Sequence, residues 1–230
     1  MTLLQVTLLS DGCFAGSRAT LLQDADTCQE LDELGLPVIG GRTLRGLLVE
    51  EVAIVVEALG QLGAAAKTSY EEAALDLLGQ PGQSTRGRLS VGDARYPESA
   101  RQALAAAAAD NPTLRTLAAR TTTVIRRQTR IDEETATAAS GSLRATRLIR
   151  AGTKLQSILT FDGKQLSHAP FATDKHRAIL ASAVRLLRRG GIHRSRGWGR
   201  LSVQLLEDGK PVEAEWSMPL VKLIQQGVQI

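Results

Sequence analysis

Two stretches of this 230-residue chain hold residue types that could act on a charged ligand. The first runs from Arg188 to Arg200 and packs five arginines and four glycines around His193, Ser195 and Trp198. Gly190, Gly191, Gly197 and Gly199 free the backbone to turn tightly and to bring N–H groups close to an anion. Arg194 and Arg196 add fixed positive charge, and His193 and Ser195 add hydrogen-bonding side chains. Residues 177–206 carry seven arginines and no acid. That combination suits a loop gripping the phosphates of a nucleic acid; a glycine-rich turn with solvated charges is the alternative. The second stretch lies between Phe14 and Leu36, where no periodicity is visible and Asp24, Asp26, Glu30, Asp32 and Glu33 cluster. Loops this long inside a compact domain are uncommon and usually functional.

The bulk composition narrows the partner. Net charge is +4, yet the chain outside 177–206 is slightly acidic, so the basic zone is local and reads as a footprint for an anionic polymer. Aromatic residues make up 3% of the chain, which argues against a surface that stacks bases and favours backbone recognition. With Cys13 and Cys28 alone, neither a disulfide framework nor a thiolate zinc site is expected. No apolar run approaches the roughly 20 residues of a membrane span. The first residues lack a basic start and apolar core, so a cytoplasmic location is expected.

Periodicity indicates the elements that must position these stretches. Leu4, Val6 and Leu8 alternate with Gln5 and Thr7, a half-buried strand over 3–9. After an extended piece and turn from Gly35, Thr43 is expected to cap an apolar helix reaching about Leu59. Shorter helices are expected over 68–78 and 113–119, an alanine-rich one over 98–109, and a strand over 88–94. The β-branched run 121–128 and the run 145–161 read as two strands, joined by the small, polar segment 129–142 as a projecting arm. Asp174 is expected to cap an amphipathic helix to about Arg189, with Ile179, Leu180, Ala183, Leu186 and Leu187 inward. A last main strand covers 200–205, the residues from Glu207 to Lys210 turn, and the tail after Pro219 is a short helix or strand. With insertions set aside, the order is strand, helix, strand, strand, helix, strand. This predicts an α+β, ferredoxin-like (RRM-like) fold, an antiparallel sheet with two helices on one face. The whole chain, 1–230, is expected to be one domain, with a helical insertion over about 61–119 and a thumb-like β-hairpin over about 121–160.

Several motifs in order resemble the RAMP superfamily of CRISPR effector proteins, which serve antiviral defence, and in particular the backbone subunits of type III effector complexes. Gly35-Leu36-Pro37-Val38-Ile39-Gly40-Gly41-Arg42-Thr43-Leu44-Arg45-Gly46-Leu47 is similar to that family's turn into its first helix, although Gly40 stands where a second proline is usual. Val91-Gly92-Asp93-Ala94 resembles its second-strand motif, 129–153 its thumb-like hairpin and following strand, and the loop with Trp198-Gly199-Arg200 its C-terminal hallmark. The physics agrees. A helix N-terminus at Gly40–Thr43 favours a phosphate, and Arg42, Thr43 and Arg45 add charge and a hydroxyl. Backbone tracking suits a guide RNA, whose sequence is read by base pairing.

The resemblance implies a guide RNA, a target RNA and other RAMP subunits as partners, and leaves open whether copies of this chain are among them. It implies that Arg126, Arg127, Arg130, Arg144 and Arg147 line the base and stem of the hairpin, with Ile131 or Leu143 as a wedge. It also implies target-RNA cleavage by an aspartate in the long loop. Asp26 and Asp32 have the family's six-residue spacing before the leucine-proline turn, so Asp26 is the candidate and Asp24 the fallback. Such a carboxylate could deprotonate or orient a 2′-hydroxyl, or hold Mg2+ or Mn2+ as a divalent cofactor. A solvated acidic loop in a purely structural RNA-binding subunit remains the alternative. A guide-processing endonuclease, which commonly relies on an early histidine, fits less well, because His168, His176 and His193 all come late.

Overall fold

The computed structural model describes residues 1–15, 25–27, 29–80, 87–132, 134–161 and 173–227. In chain order these form β1 (Thr2–Leu8), α1 (Gly41–Leu59), α2 (Ala64–Leu78), β2 (Leu89–Val91), α3 (Glu98–Asp110), α4 (Thr113–Thr122), β3 (Thr123–Gln128), β4 (Arg144–Ile149) and β5 (Lys154–Phe161). Then come α5 (Asp174–Leu186), β6 (Leu201–Glu207), β7 (Lys210–Pro211), α6 (Glu213–Trp216) and α7 (Met218–Gly227).

The main sheet is antiparallel, in the order β2-β5-β1-β6-β7. Its register sets Val6 opposite both Leu155 and Val203, so the period-two apolar pattern of each strand falls on one face. That face, with Leu4, Leu8, Leu201 and Leu205, shares one buried cluster with Leu44, Leu48 and Val52 of α1 and Ile179, Ala183 and Val184 of α5. Each such leucine, fully buried, contributes on the order of 2 kcal/mol. The other face carries Gln5, Gln156 and Gln204 side by side. The path β1-α1-β2-β5-α5-β6 is the expected strand–helix order. It is consistent with a ferredoxin-like arrangement, and α2, α3, α4 and the β3–β4 pair stand as insertions.

Four boundaries differ from the sequence reading, each for a physical reason. The single strand expected over 145–161 is two strands, because Gly152 takes φ +85° and Leu8 bonds both Gly152 N–H and the Thr153 carbonyl there. Helix α1 begins three residues earlier than a Thr43 cap would place it, since Gly41 N–H is capped by Asp93 Oδ1 at 2.9 Å. Thr173, not Asp174, caps α5: its hydroxyl accepts His176 N–H, and His176 Nδ1 accepts Thr173 N–H, a reciprocal capping pair. Finally, α5 ends at Leu186, whose side chain is exposed, and leaves Leu187 to continue the core. Among the described residues no helix is long and apolar enough to cross a membrane.

Candidate nucleic-acid interface

The segment 188–200 is a hairpin-like loop between α5 and β6, sealed against the residues that follow β1. Gly190 N–H donates to the Gly199 carbonyl, Ile192 N–H to Cys13, Gly199 N–H to Asp11 and Leu201 N–H to Arg188. Ser10 Oγ donates to the Gly197 carbonyl and accepts Arg200 N–H. Two glycines are dictated by this close approach. A Cβ on Gly191 (φ +82°) would lie 2.4 Å from the Cys13 carbonyl oxygen, and one on Gly199 (φ +60°) would lie 1.9 Å from that of Gly190. Gly190 is buried in the same contact, and Gly197 is exposed. Much of the loop's backbone is thus committed to internal packing, and what it presents outward is mainly side chains. Arg188, Arg189, Arg196 and Arg200 are exposed with no acidic partner among the described residues, as is Ser195 beside them. Arg194 differs: its Nη1 is 2.6 Å from Glu50 Oε2 on α1.

The second predicted cradle, the start of α1, is partly occupied by protein. Asp93, itself held by Arg95 at 3.1 Å, takes the Gly41 N–H. Arg42 is exposed and Thr43 half-buried, while Arg45 donates to the Leu78 carbonyl at the end of α2. Val91-Gly92-Asp93 therefore serves as the cap of α1. A Cβ on Gly41 would strike the Val91 carbonyl oxygen at 2.2 Å.

The arm stands on the β3–β4 pair, where Gln128 faces Arg144 and Arg126 faces Thr146. Beyond it the chain closes on itself through Thr129 Oγ1 and Ser142 Oγ at 2.7 Å, and Asp132 Oδ1 accepts the N–H groups of Glu134 and Thr135 to shape the tip. Ile131 and Leu143 are 57% and 65% exposed, so both proposed wedges are in solvent. The arginines sort into three environments. Arg127, Arg130 and Arg144 are exposed and unpaired among the described residues. Arg126 pairs with Asp11 at 2.8 Å. Arg147 is buried and donates to Thr123 Oγ1 at 2.6 Å.

Between the arm's base and the 188–200 loop lies a cleft of about 650 Å3. Arg130 and Arg144 reach it from the arm, His193 and Arg196 from the loop, and Thr27 from the acidic segment. No carboxylate among the described residues lines it. Three guanidinium groups around an acid-free cleft are suited to phosphate, since arginine can bind phosphate oxygens in pairs. Four of the predicted side chains thus converge here. Arg42, Thr43 and Arg194 sit apart on the α1 side, where Thr43, Gly46, Glu50 and Arg194 border a second groove of about 410 Å3.

The carboxylates of the acidic segment differ in what holds them. Asp32 is buried and accepts Leu34 and Leu36 N–H groups, both at 2.9 Å, which fixes the turn into Pro37; Arg101 of α3 neutralises it at 3.2 Å. Glu33 pairs with the same arginine. Asp26 is exposed beside β4, where its N–H donates to the Ala145 carbonyl and its Oδ2 accepts Ala145 N–H at 2.7 Å. Thr27, its neighbour, bridges to Thr146 and opens onto the cleft. Asp24 and His168 lie outside the described residues. His176 is buried in the α5 cap and faces Asp76 at 3.2 Å, a packing role. Among the described residues no three His, Cys, Asp or Glu side chains come together to hold a metal ion.

Gln128, Thr129 and Ser142 also line the cleft, and Asp11 anchors it; the sequence reading did not single these out. The polar arm base was their available signal. Asp11 offered none, because its partners lie more than 100 residues away.

Comparison with known proteins bears on the fold and the family. The fold is similar to a chain of "Type III-B Cmr-beta Cryo-EM structure of the Apo state", with TM-score 0.62 and 11% identity over 91% of this chain and 98% of that one. It is also similar to a chain of "Cryo-EM structure of the Type III-B Cmr-beta bound to cognate target RNA", with TM-score 0.59 and 12% identity over the same shares. No curated protein sequence matches the chain. The sequence profile of the RAMP superfamily matches residues 26–202, most of the chain's length and every element from α1 to the start of β6. The chain belongs to the RAMP superfamily.

Proposed function

We propose that the chain is a guide-RNA-binding backbone subunit of a type III CRISPR ribonucleoprotein, which holds guide and target RNA and cleaves the target through Asp26. The observation that carries this reading is the acid-free cleft where Arg130, Arg144, His193 and Arg196 converge from two separate elements. RAMP membership supports it, as does the likeness to a Cmr-beta chain from a structure bound to cognate target RNA. Guide RNA, target RNA, other RAMP subunits and further copies of this chain are its partners in this reading.

The proposed chemistry follows from where Asp26 sits. Asp26 is exposed and precedes the cleft-lining Thr27; the Ala145 N–H holds one of its carboxylate oxygens, and the other can accept the proton of a 2′-hydroxyl. Mg2+ is commonly held by one or two carboxylates together with substrate phosphates, and Asp26 would supply the protein's share. The arginines orient the phosphate and neutralise charge that develops on it.

A structural subunit without chemistry is favoured by one observation: the same Asp26–Ala145 pair doubles as a strand-edge tie at the arm's base. One experiment separates the two readings. The ribonucleoprotein is purified through this subunit, its RNA is sequenced, and cleavage of a complementary target is compared with that of the Asp26→Ala complex. Loss of one cut with assembly intact is expected. Cutting at the wild-type rate removes Asp26 from the mechanism, and absence of any co-purifying RNA removes the RNA-binding reading.

A further inference from the structure

His193 has features that phosphate binding does not require. It adopts a left-handed backbone conformation (φ 54°, ψ 26°), which is disfavoured for a residue with a side chain, although glycines lie nearby in the same loop. Its imidazole stands edge-on to Trp198, with ring centroids 5.1 Å apart and planes at 90°, which fixes the ring's direction. It reaches the cleft from the loop side, whereas Thr27, next to Asp26, reaches it from the arm side. Arg130 and Arg144 face it across the cleft, Arg196 stands on its own loop, and no carboxylate among the described residues lines the cleft. An oriented ring that shares a cleft suited to phosphate with Thr27, the neighbour of the proposed base, is placed to donate a proton in its imidazolium form.

We infer that His193 is the general acid of target-RNA cleavage and protonates the leaving 5′-oxygen. This inference rests on the nuclease reading above. In the step, the 2′-oxygen attacks phosphorus while its proton passes to the Asp26 carboxylate. The P–O5′ bond breaks, its electron pair stays on O5′, and the imidazolium form of His193 supplies the proton from a ring N–H, leaving neutral imidazole. The products are a 2′,3′-cyclic phosphate and a 5′-hydroxyl, and exchange with water restores both side chains.

The test uses His193→Asn in the assembled ribonucleoprotein, because asparagine tolerates the left-handed conformation, with His193→Gly as a second variant free of backbone strain. Two complementary targets are compared: ordinary RNA, and RNA with sulfur replacing the bridging 5′-oxygen at the cut, a leaving group that needs no proton. Measured per guide RNA retained, cleavage of ordinary RNA slowed at least about 100-fold and near wild-type cleavage of the sulfur-bridged RNA are expected. Wild-type cleavage of ordinary RNA by both variants, with Asp26→Ala inactive, overturns the acid and leaves the nuclease reading standing. Equal slowing on both targets also overturns it, by showing that the ring positions RNA without donating a proton. If the wild-type complex cuts neither target, the nuclease reading fails and the inference fails with it.

Discussion

Arg126 on β3 and Asp11 just beyond β1 meet at 2.8 Å, Nη2 to Oδ2, across 115 residues of sequence. The other oxygen of Asp11 accepts Ala151 N–H at 2.9 Å, and its main-chain carbonyl accepts Gly199 N–H at the same distance. One residue thus ties the end of β1 to the arm's base, to the β4–β5 turn and to the arginine-rich loop. The arm's base and the loop are walls of the cleft, so their spacing depends on Asp11.

Replacing Asp11 with asparagine is therefore expected to loosen the arm without unfolding the sheet. Burial pushes the Asp11 carboxyl up, but Arg126, the Ala151 N–H and Arg150 together outweigh it and hold it below its ordinary value. The pair is partly exposed, so the loss is about 1 kcal/mol. Amide hydrogen exchange over 126–128 and 144–146 should quicken in Asp11→Asn while exchange in β1 and β6 stays slow. Unchanged arm exchange would show that the pair does not hold the cleft's geometry.

The α1 side offers a test that separates stability from binding. Gly46 is an exposed helix-interior glycine, and a Cβ there meets nothing within 4 Å. Gly46→Ala should raise stability by about 0.5–1 kcal/mol, read from urea unfolding midpoints. Gly46→Leu keeps nearly the same helix propensity but fills the groove bordered by Thr43 and Arg194. Its retained guide RNA is expected to fall at least tenfold at equal stability. If Gly46→Leu binds as the wild type does, RNA does not pass along this groove.

These two sites show what the sequence could and could not reveal. Leu4, Val6 and Leu8 announced β1 because one buried sheet face imposes a period of two, and the alanine-rich run announced α3 through propensity alone. The arginine-rich loop and the polar arm were legible as composition, and they did converge. What stayed hidden were partners supplied from far along the chain. Asp93 caps α1 from 52 residues away, so Thr43 looked like the cap. Arg45 and Arg147 had the same residue type as the cleft arginines, but one is engaged by the Leu78 carbonyl and the other by Thr123. Asp32 and Glu33 read as part of one acidic cluster until Arg101 of α3 accounted for them.

Stability should depend on pH through His176. Burial holds its imidazole below the ordinary 6.5, with Asp76 pulling it up and Arg88 pulling it down. Its Nδ1 accepts Thr173 N–H, so the folded state favours the neutral ring. The unfolded chain then binds the extra proton more readily. The contribution is fully present above about pH 6.5 and is lost as pH falls toward the folded-state value, by at most about 1.4 kcal/mol per pH unit. Urea midpoints between pH 7.5 and 5.5 should drop for the wild type and drop less for His176→Asn, which starts lower because the cap is lost. Parallel pH profiles would remove His176 from this role.

The arginines provide the sharpest division between binding and packing. Arg196 is exposed in the cleft, so Arg196→Ala should weaken RNA binding and lower the slope of log affinity against log salt by about 0.7–0.9, one phosphate contact's worth. Its unfolding midpoint should stay within about 0.5 kcal/mol of the wild type. Arg147 is buried against Thr123, so Arg147→Met should cost about 1–3 kcal/mol of stability and leave the salt slope unchanged. Filter binding across a salt series, paired with urea unfolding, reads both quantities. If the salt slope moves with Arg147 and not with Arg196, the RNA runs on the other side of the β3–β4 pair, and the cleft is not its path.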